Sequence, residues 1–381
     1  MKRVFFDLRL VRIRKGGGKS VIKEEKSVCK TYGEMDIGSF TTELGAQIRN
    51  VKIAYERIGP KDAPVIFVCH ALTGNQYAVG DEEQPGWWSG LIGKGKHIDT
   101  TKWQVITMNV LGGCNGSTGP LSEDGDGNKY GVKFPFISVR DIVNSHYSAL
   151  KRLGIHNVHA IIGGSLGGMQ VLEWGILYPN FAKILLPLAT SPYLSDFGIA
   201  YNTIARFAIT NDPNWNEGNY EGNPTIGLSI ARMIGMISYR SSEQFNARFT
   251  REIREGWGNN HQESSYQIES YLKYQGEKFI NRFDANSYLY LLKAMDHHDI
   301  GRKRNGWRKA LATIKANIVA ISYKGDIIYP SNVLNEVCKI CQHNGQTAKH
   351  YEIDTIFGHD GFLVEFEKWG HLIEEELNGI H

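Results

Sequence analysis

The sequence predicts an α/β fold: a mostly parallel, doubly wound sheet with a block of helices inserted before its last strands. Two observations predict the sheet. Short apolar runs alternate with helix-patterned segments from Phe40 to about Ser191, and the alternation resumes at Ile318. A third predicts the insertion. Between these stretches the strand rhythm is lost, and helix-like, aromatic-rich sequence replaces it. The expected organisation is an N-terminal extension over 1–38, a core built from 39–192 and 313–381, and a helical lid over 193–312.

In the extension, Lys2, Arg3, Arg9, Arg12, Arg14 and Lys15 interleave with Phe5, Phe6, Leu8, Leu10, Val11 and Ile13, ahead of Gly16-Gly17-Gly18. A poorly ordered tail is expected. A targeting peptide is the alternative, and Asp7, Glu24 and Glu25 count against it. Val51-Lys52-Ile53-Ala54-Tyr55 alternates like a half-buried strand. Val65 to Cys69 and Gln104 to Met108 are short apolar runs suited to buried strands. Val139 to Leu153 has helical periodicity, with Ser138 placed to cap it and Gly154 to stop it. Val158 to Ile162 reads as a strand, Met169 to Tyr178 as a helix ended by Pro179, and Ile184 to Ala189 as the next strand. Ile226 to Tyr239 and Ser287 to Met295 are the clearest helices of the insertion. Ile318 to Tyr323 and Lys349 to Ile353 supply the last strands.

With 381 residues the chain can bury a large core, and 41% hydrophobic with 22% charged residues is ordinary for a soluble globular protein. A net charge of +3 argues against a dedicated nucleic-acid binder. No apolar run approaches the roughly 20 residues needed to span a bilayer, so no membrane partner is expected. The five cysteines, Cys29, Cys69, Cys114, Cys338 and Cys341, are scattered and odd in number, which suggests a reducing, cytoplasmic setting. Cys338 and Cys341 have CxxC spacing but no second ligand pair, and Asp296-His297-His298-Asp299 fits no common metal site. No metal is expected.

The chemistry centres on Gly163-Gly164-Ser165-Leu166-Gly167-Gly168. A serine between glycines, after a strand and before a helix, has the layout of a nucleophile elbow. The turn leaves room only for glycine, and it sets the hydroxyl at a helix N-terminus. The motif alone is weak, so its context decides. Asp326 leaves the strand ending at Tyr323, and His359 lies in a loop after the strand ending at Ile353. The chain order Ser, Asp, His is that of a triad in this kind of fold. Ser165 would be the nucleophile, His359 its base, and Asp326 the group that fixes the imidazole. Leu166, the residue after the serine, would give one oxyanion-hole N–H. Arg232 interrupts an apolar helical face made of Ile226, Leu228, Ile230, Met233, Ile234 and Ile237, and a buried guanidinium there needs an anionic partner.

Longer segments carry a more specific signal. They include Cys69-His70-Ala71-Leu72-Thr73-Gly74-Asn75, the run Asn109 to Pro120, Gly163 to Gln170, Ala231-Arg232-Met233, Phe283 to Tyr288, and Gly358-His359-Asp360-Gly361-Phe362. On these the chain resembles the homoserine O-acetyltransferases, acyltransferases of the α/β-hydrolase superfamily, from about Phe40 to the C-terminus. Leu166 departs from the methionine common in the family, a mild change because the backbone N–H does the work. The segment before Phe40 has no recognised counterpart.

The resemblance implies the rest. It implies an α/β-hydrolase fold, a second oxyanion N–H from Leu72, and Arg232 meeting the carboxylate of an amino-acid acceptor. Tyr239 would stand beside Arg232, and Asp360 close to the acceptor's amino group. It implies acetyl-CoA and L-homoserine as substrates, no cofactor beyond the CoA donor, and a lid that pairs two subunits into a homodimer. The product, O-acetyl-L-homoserine, would be an activated intermediate toward methionine. Four readings stay open: succinyl-CoA as donor, L-serine as acceptor, a hydrolase in which water takes the acyl group, and a non-catalytic binding protein.

Overall fold

The sheet is assembled from the apolar runs. Strands β1 (Lys30–Thr41), β2 (Gln47–Ile58), β3 (Val65–Cys69), β4 (Gln104–Met108), β5 (Val158–Gly164), β6 (Ala182–Leu188), β7 (Asn317–Tyr323) and β8 (Ala348–Ile353) form one eight-stranded sheet. Their spatial order is β1-β2-β4-β3-β5-β6-β7-β8. β1 and β2 pair antiparallel, and β2 joins β4 antiparallel; every later pairing is parallel. The structure is a computed structural model and describes residues 29–254 and 265–379.

The central strands are buried and predominantly apolar because both sheet faces are covered. In β3, Phe67 and Cys69 join a core with Trp174 and Leu150, while Ile66 and Val68 join the opposite core with Trp88 and Trp369. Helix α1 (Val139–Arg152) covers the first face, capped as its sequence predicts. Ser138 accepts from the Asp141 N–H, and the Asp141 carboxylate accepts from the Ser138 N–H at 2.8 Å. Gly154, with φ +80°, follows its end. Helix α2 (Leu166–Leu177) starts directly after Ser165.

The boundary drawn at residue 38 is corrected. Residues 1–28 lie outside the described residues, but 30–38 belong to β1. This edge strand has Ile37 and Phe40 as its buried side chains, and charges on its open face hide the alternation. Register shifts at Gly38, whose φ is +76°, bend it further from a regular pattern.

Between β6 and β7 the described residues form the helices α3 (Asp196–Thr210), α4 (Thr225–Ser238), α5 (Ser242–Phe249), α6 (Gln267–Ile280), α7 (Ala285–Asp296) and α8 (Trp307–Leu311). The segment after α7 is tied to the core by ions. Arg140 of α1 binds Glu43 at 3.1 Å and the buried Glu173 of α2 at 3.0 Å. Arg302 reaches Glu43 at 2.7 Å, and Arg304 reaches Glu173 at 2.8 Å. Helices α9 (Ser331–His343) and α10 (Phe366–Asn378) complete the layers.

The apolar face ascribed to α4 is in fact two faces. Leu228 and Ala231 are buried, whereas Ile226, Ile230 and Ile237 are 61%, 41% and 47% exposed. On the neighbouring α3, Phe197, Ile204 and Phe207 are exposed as well.

Candidate active site

Ser165 sits between β5 and α2 with φ +59° and ψ −123°, a conformation that β-carbon sterics disfavour. Its neighbours hold it there. The Ser165 N–H donates to the Leu188 carbonyl of β6 at 3.0 Å, and Thr190 Oγ1 donates to the Ser165 carbonyl at 3.1 Å. The flanking glycines leave space that no side chain could share. A Cβ on Gly167 would stand 2.2 Å from the Cys69 carbonyl oxygen, and one on Gly164 would stand 2.4 Å from the Phe362 ring.

Asp326 follows β7 through a turn in which Gly325 has φ +77°. Its Oδ1 accepts the N–H groups of Ile328 and Tyr329, each at 2.9 Å. Its Oδ2 lies 2.7 Å from His359 Nδ1. His359 belongs to a short 3-10 turn (Gly358–Leu363) beyond β8 rather than an irregular loop, and it is buried. Burial lowers the imidazole pKa, but the charge and hydrogen bond of Asp326, with the charge of Asp360, outweigh it and leave the pKa raised. The rings of Tyr239, Tyr329 and Phe362 surround the imidazole at centroid distances of 5.5, 5.2 and 5.3 Å. The Tyr329 hydroxyl comes up against the Ser165 side chain without closing a well-formed hydrogen bond. Ser165, Asp326 and His359 thus stand at the C-terminal exits of β5, β7 and β8.

Leu72 and Leu166 are brought to the same edge, because Cys69 pairs with Gly163 in the sheet. Gln170 Nε2 donates to both the His70 and Leu166 carbonyls, at 3.3 and 3.2 Å, which joins the Cys69–Leu72 turn to the start of α2. The Leu166 N–H opens α2 and so has no intrahelical acceptor. His70 lies underneath and is occupied. Its Nε2 accepts the Val110 N–H at 3.0 Å, and its Nδ1 therefore donates to the Ala71 carbonyl at 2.7 Å. Burial pushes its pKa down to about 4, so it holds the turn as a neutral ring.

Arg232 projects from α4 over the Phe279 ring, 5.3 Å from its centroid, and forms no ion pair with a carboxylate among the described residues. Tyr239, just past the end of α4, feels the charges of both Arg232 and Asp360, although burial is the larger influence and raises its pKa. Asp360 does have a partner that sequence reasoning missed: Arg240 Nε donates to its Oδ2 at 3.1 Å. Nothing local announces that contact, since Arg240 reads as an ordinary charge after a helix. Tyr329 was also missed, although its place three residues after Asp326 was a usable signal.

The other polar clusters are structural. Asp296 pairs with Arg206 and accepts from Asn202 at 2.9 Å, and His298 is buried with its pKa pushed down to about 3 by desolvation. Cys338 and Cys341 are buried thiols, each pushed up to about 12 by burial. Among the described residues no group of three or more His, Cys, Asp or Glu side chains is placed to hold a metal. No helix among them is long and apolar enough to cross a membrane.

The strand order and the serine turn define an α/β-hydrolase-fold protein, and the alpha/beta hydrolase fold family matches residues 64–373. The chain is 41% identical over 355 residues to the homoserine O-acetyltransferase of Carboxydothermus hydrogenoformans, covering 89% of this chain and 93% of that one. The crystal structure of homoserine O-acetyltransferase from Bacillus anthracis superimposes with a TM-score of 0.87 at 29% identity, covering 92% of this chain and 98% of that one. Esterase E22 superimposes with a TM-score of 0.83 at 28% identity, covering 92% and 100%. With a relative this similar along most of its length, the chain belongs to the homoserine O-acetyltransferase family.

Proposed function

We propose that this chain transfers an acetyl group from acetyl-CoA to the side-chain hydroxyl of L-homoserine, through an acyl-Ser165 intermediate. His359 takes the Ser165 proton as the hydroxyl attacks the thioester, and the Leu166 and Leu72 N–H groups receive the developing oxyanion. CoA leaves with that proton. L-Homoserine then enters, His359 deprotonates its hydroxyl, and O-acetyl-L-homoserine departs, an activated ester suited to methionine biosynthesis. Arg232 binds the acceptor carboxylate and Asp360 its ammonium. The helices from 193 to 312 act as the lid that keeps water from the acyl-enzyme.

The observation that carries this reading is the 2.7 Å Asp326–His359 contact, sealed among aromatic rings at the sheet edge where Ser165 stands. Arg232, a half-buried cation with no carboxylate partner among the described residues, supports an anionic acceptor. The exposed apolar residues of α3 and α4 support a homodimer through the lid, since six large apolar side chains in one region need a cover. The test offers acetyl-CoA or succinyl-CoA with homoserine or serine and follows CoA release. Acetyl-CoA with homoserine should be the fastest pairing by a wide margin; preference for another pairing contradicts the assignment.

A second reading is favoured by the likeness to esterase E22: water as the acceptor. It predicts that the acyl-enzyme empties as fast without homoserine as with it. The transfer reading predicts an acyl-enzyme that persists until homoserine arrives.

A further inference from the structure

The contact between Arg240 and Asp360 binds the lid to the residue beside the base. Both side chains are largely buried, 19% and 16% exposed, in a setting where an unpaired carboxylate is costly. The surrounding backbone is equally fixed. The Asp360 N–H donates to the Tyr239 carbonyl at 2.9 Å, and the Ser241 hydroxyl donates to the Ile356 carbonyl. A Cβ on Gly358 would stand 3.0 Å from both the Gly325 carbonyl oxygen and the Ser241 nitrogen. The segment Tyr239–Arg240–Ser241 is therefore clasped between the loops that carry Asp326 and His359. Arg240 is steadied from its other side by the Tyr271 ring, 5.7 Å away, which also carries Arg248 at 4.5 Å.

The contact uses one guanidinium nitrogen and one carboxylate oxygen. Among the described residues the side-chain hydrogen bond of Asp360 falls on Oδ2, from Arg240, and none falls on Oδ1. We propose that Arg240 is a positioning residue for the acceptor: by holding Asp360 Oδ2 it fixes the carboxylate plane and leaves Oδ1 to receive a ligand ammonium, which makes the site selective for acceptors with a free α-amino group. This rests on the reading of Asp360 as the acceptor's ammonium partner. A carboxylate free to rotate would recognise the same cation with poorer aim.

The same pair bears on the base. His359 faces the charges of Asp326 and Asp360 and the phenols of Tyr239 and Tyr329. Asp360 raises the His359 pKa, and Arg240 balances that negative charge. Without the guanidinium, the imidazolium is favoured further. The acid limb of kcat/KM then moves to higher pH, because the base must be neutral to act.

The test compares wild type, Arg240→Gln and Arg240→Lys with two acceptors, L-homoserine and N-acetyl-homoserine, which lacks the ammonium. Arg240→Gln should keep the burst of CoA released from acetyl-CoA alone. It should raise KM for homoserine by roughly 10- to 100-fold, the scale for a misaligned recognition group. At pH values on the plateau above the acid limb it should leave use of N-acetyl-homoserine unchanged, and it should shift the limb upward with both acceptors. Arg240→Lys should restore the pH profile but only part of the KM, since an ammonium replaces the charge without the planar donor set. An unchanged KM for homoserine, or equal losses with both acceptors, overturns the proposal. If Arg240→Gln loses the burst, Arg240→Lys decides: wild-type KM for homoserine in that variant overturns the proposal, and a selectively raised one supports it. Wild type that releases CoA but never acylates homoserine would instead overturn the proposed function.

Discussion

Asp326 divides its two carboxylate oxygens between the backbone and His359. Oδ1 accepts the N–H groups of Ile328 and Tyr329, which locks the carboxylate, and Oδ2 then meets His359 Nδ1 at 2.7 Å. The imidazole tautomer follows from this arrangement: Nδ1 carries the proton, and Nε2 is left as the base. The raised pKa of His359 has a related origin: burial disfavours the imidazolium, and the charge and hydrogen bond of Asp326, together with the charge of Asp360, outweigh it.

A pH dependence follows with a definite sign. The base works when neutral, so kcat/KM should rise with pH through a midpoint above the ordinary histidine value of about 6.5. Asp326→Asn removes the charge that raises the pKa and invites the wrong tautomer. The midpoint should move down while the rate at the plateau falls on the order of 10⁴-fold. A pH–rate series on both proteins checks this. A midpoint that stays put would mean that another group sets the limb.

The acceptor clamp makes a different separation. Arg232→Ala and Asp360→Asn should each reduce turnover with homoserine by roughly 10²-fold or more, the scale for truncating one partner of a desolvated ion pair. Neither residue belongs to the acylation machinery proposed for Ser165. Rapid-mixing measurements should therefore find the CoA burst retained in both. Equal loss of burst and turnover would show that these residues hold the site together instead of binding the acceptor.

The lid surface can be tested without substrates. Ile204 and Ile230 are 55% and 41% exposed on α3 and α4. If two copies pair there, Ile204→Glu with Ile230→Glu places charges in the contact and should yield a monomer of unchanged helix content. Sedimentation of wild type at micromolar concentration should give a dimer. A wild-type monomer would remove the dimer from the account.

Much of the architecture was readable because its signals are local. β3 and β4 were legible residue for residue, since strands buried on both faces read as short, predominantly apolar runs. Ser165 was legible because its turn excludes side chains on both sides, which leaves glycines in the sequence. β1 was not, because its edge position lets charges occupy the open face, and the segment read as a tail. The two apolar faces of α4 were not told apart because periodicity does not say which face its neighbours α3 and α6 cover. Arg240 and Asp360 are 120 positions apart, Glu43 lies 97 from Arg140 and 259 from Arg302, and no local pattern encodes such pairs.

The central claim is that Ser165 carries the acyl group between donor and acceptor. Its most direct measurement is intact and peptide mass spectrometry of the enzyme mixed with acetyl-CoA alone. The account predicts one acetyl group per chain on the Ser165 peptide, an equal amount of CoA released, and loss of the adduct when homoserine is added. It also predicts no adduct on Ser165→Ala and activity lower on the order of 10⁶-fold. An acetyl group on another residue, or CoA released only once homoserine is present, would contradict it.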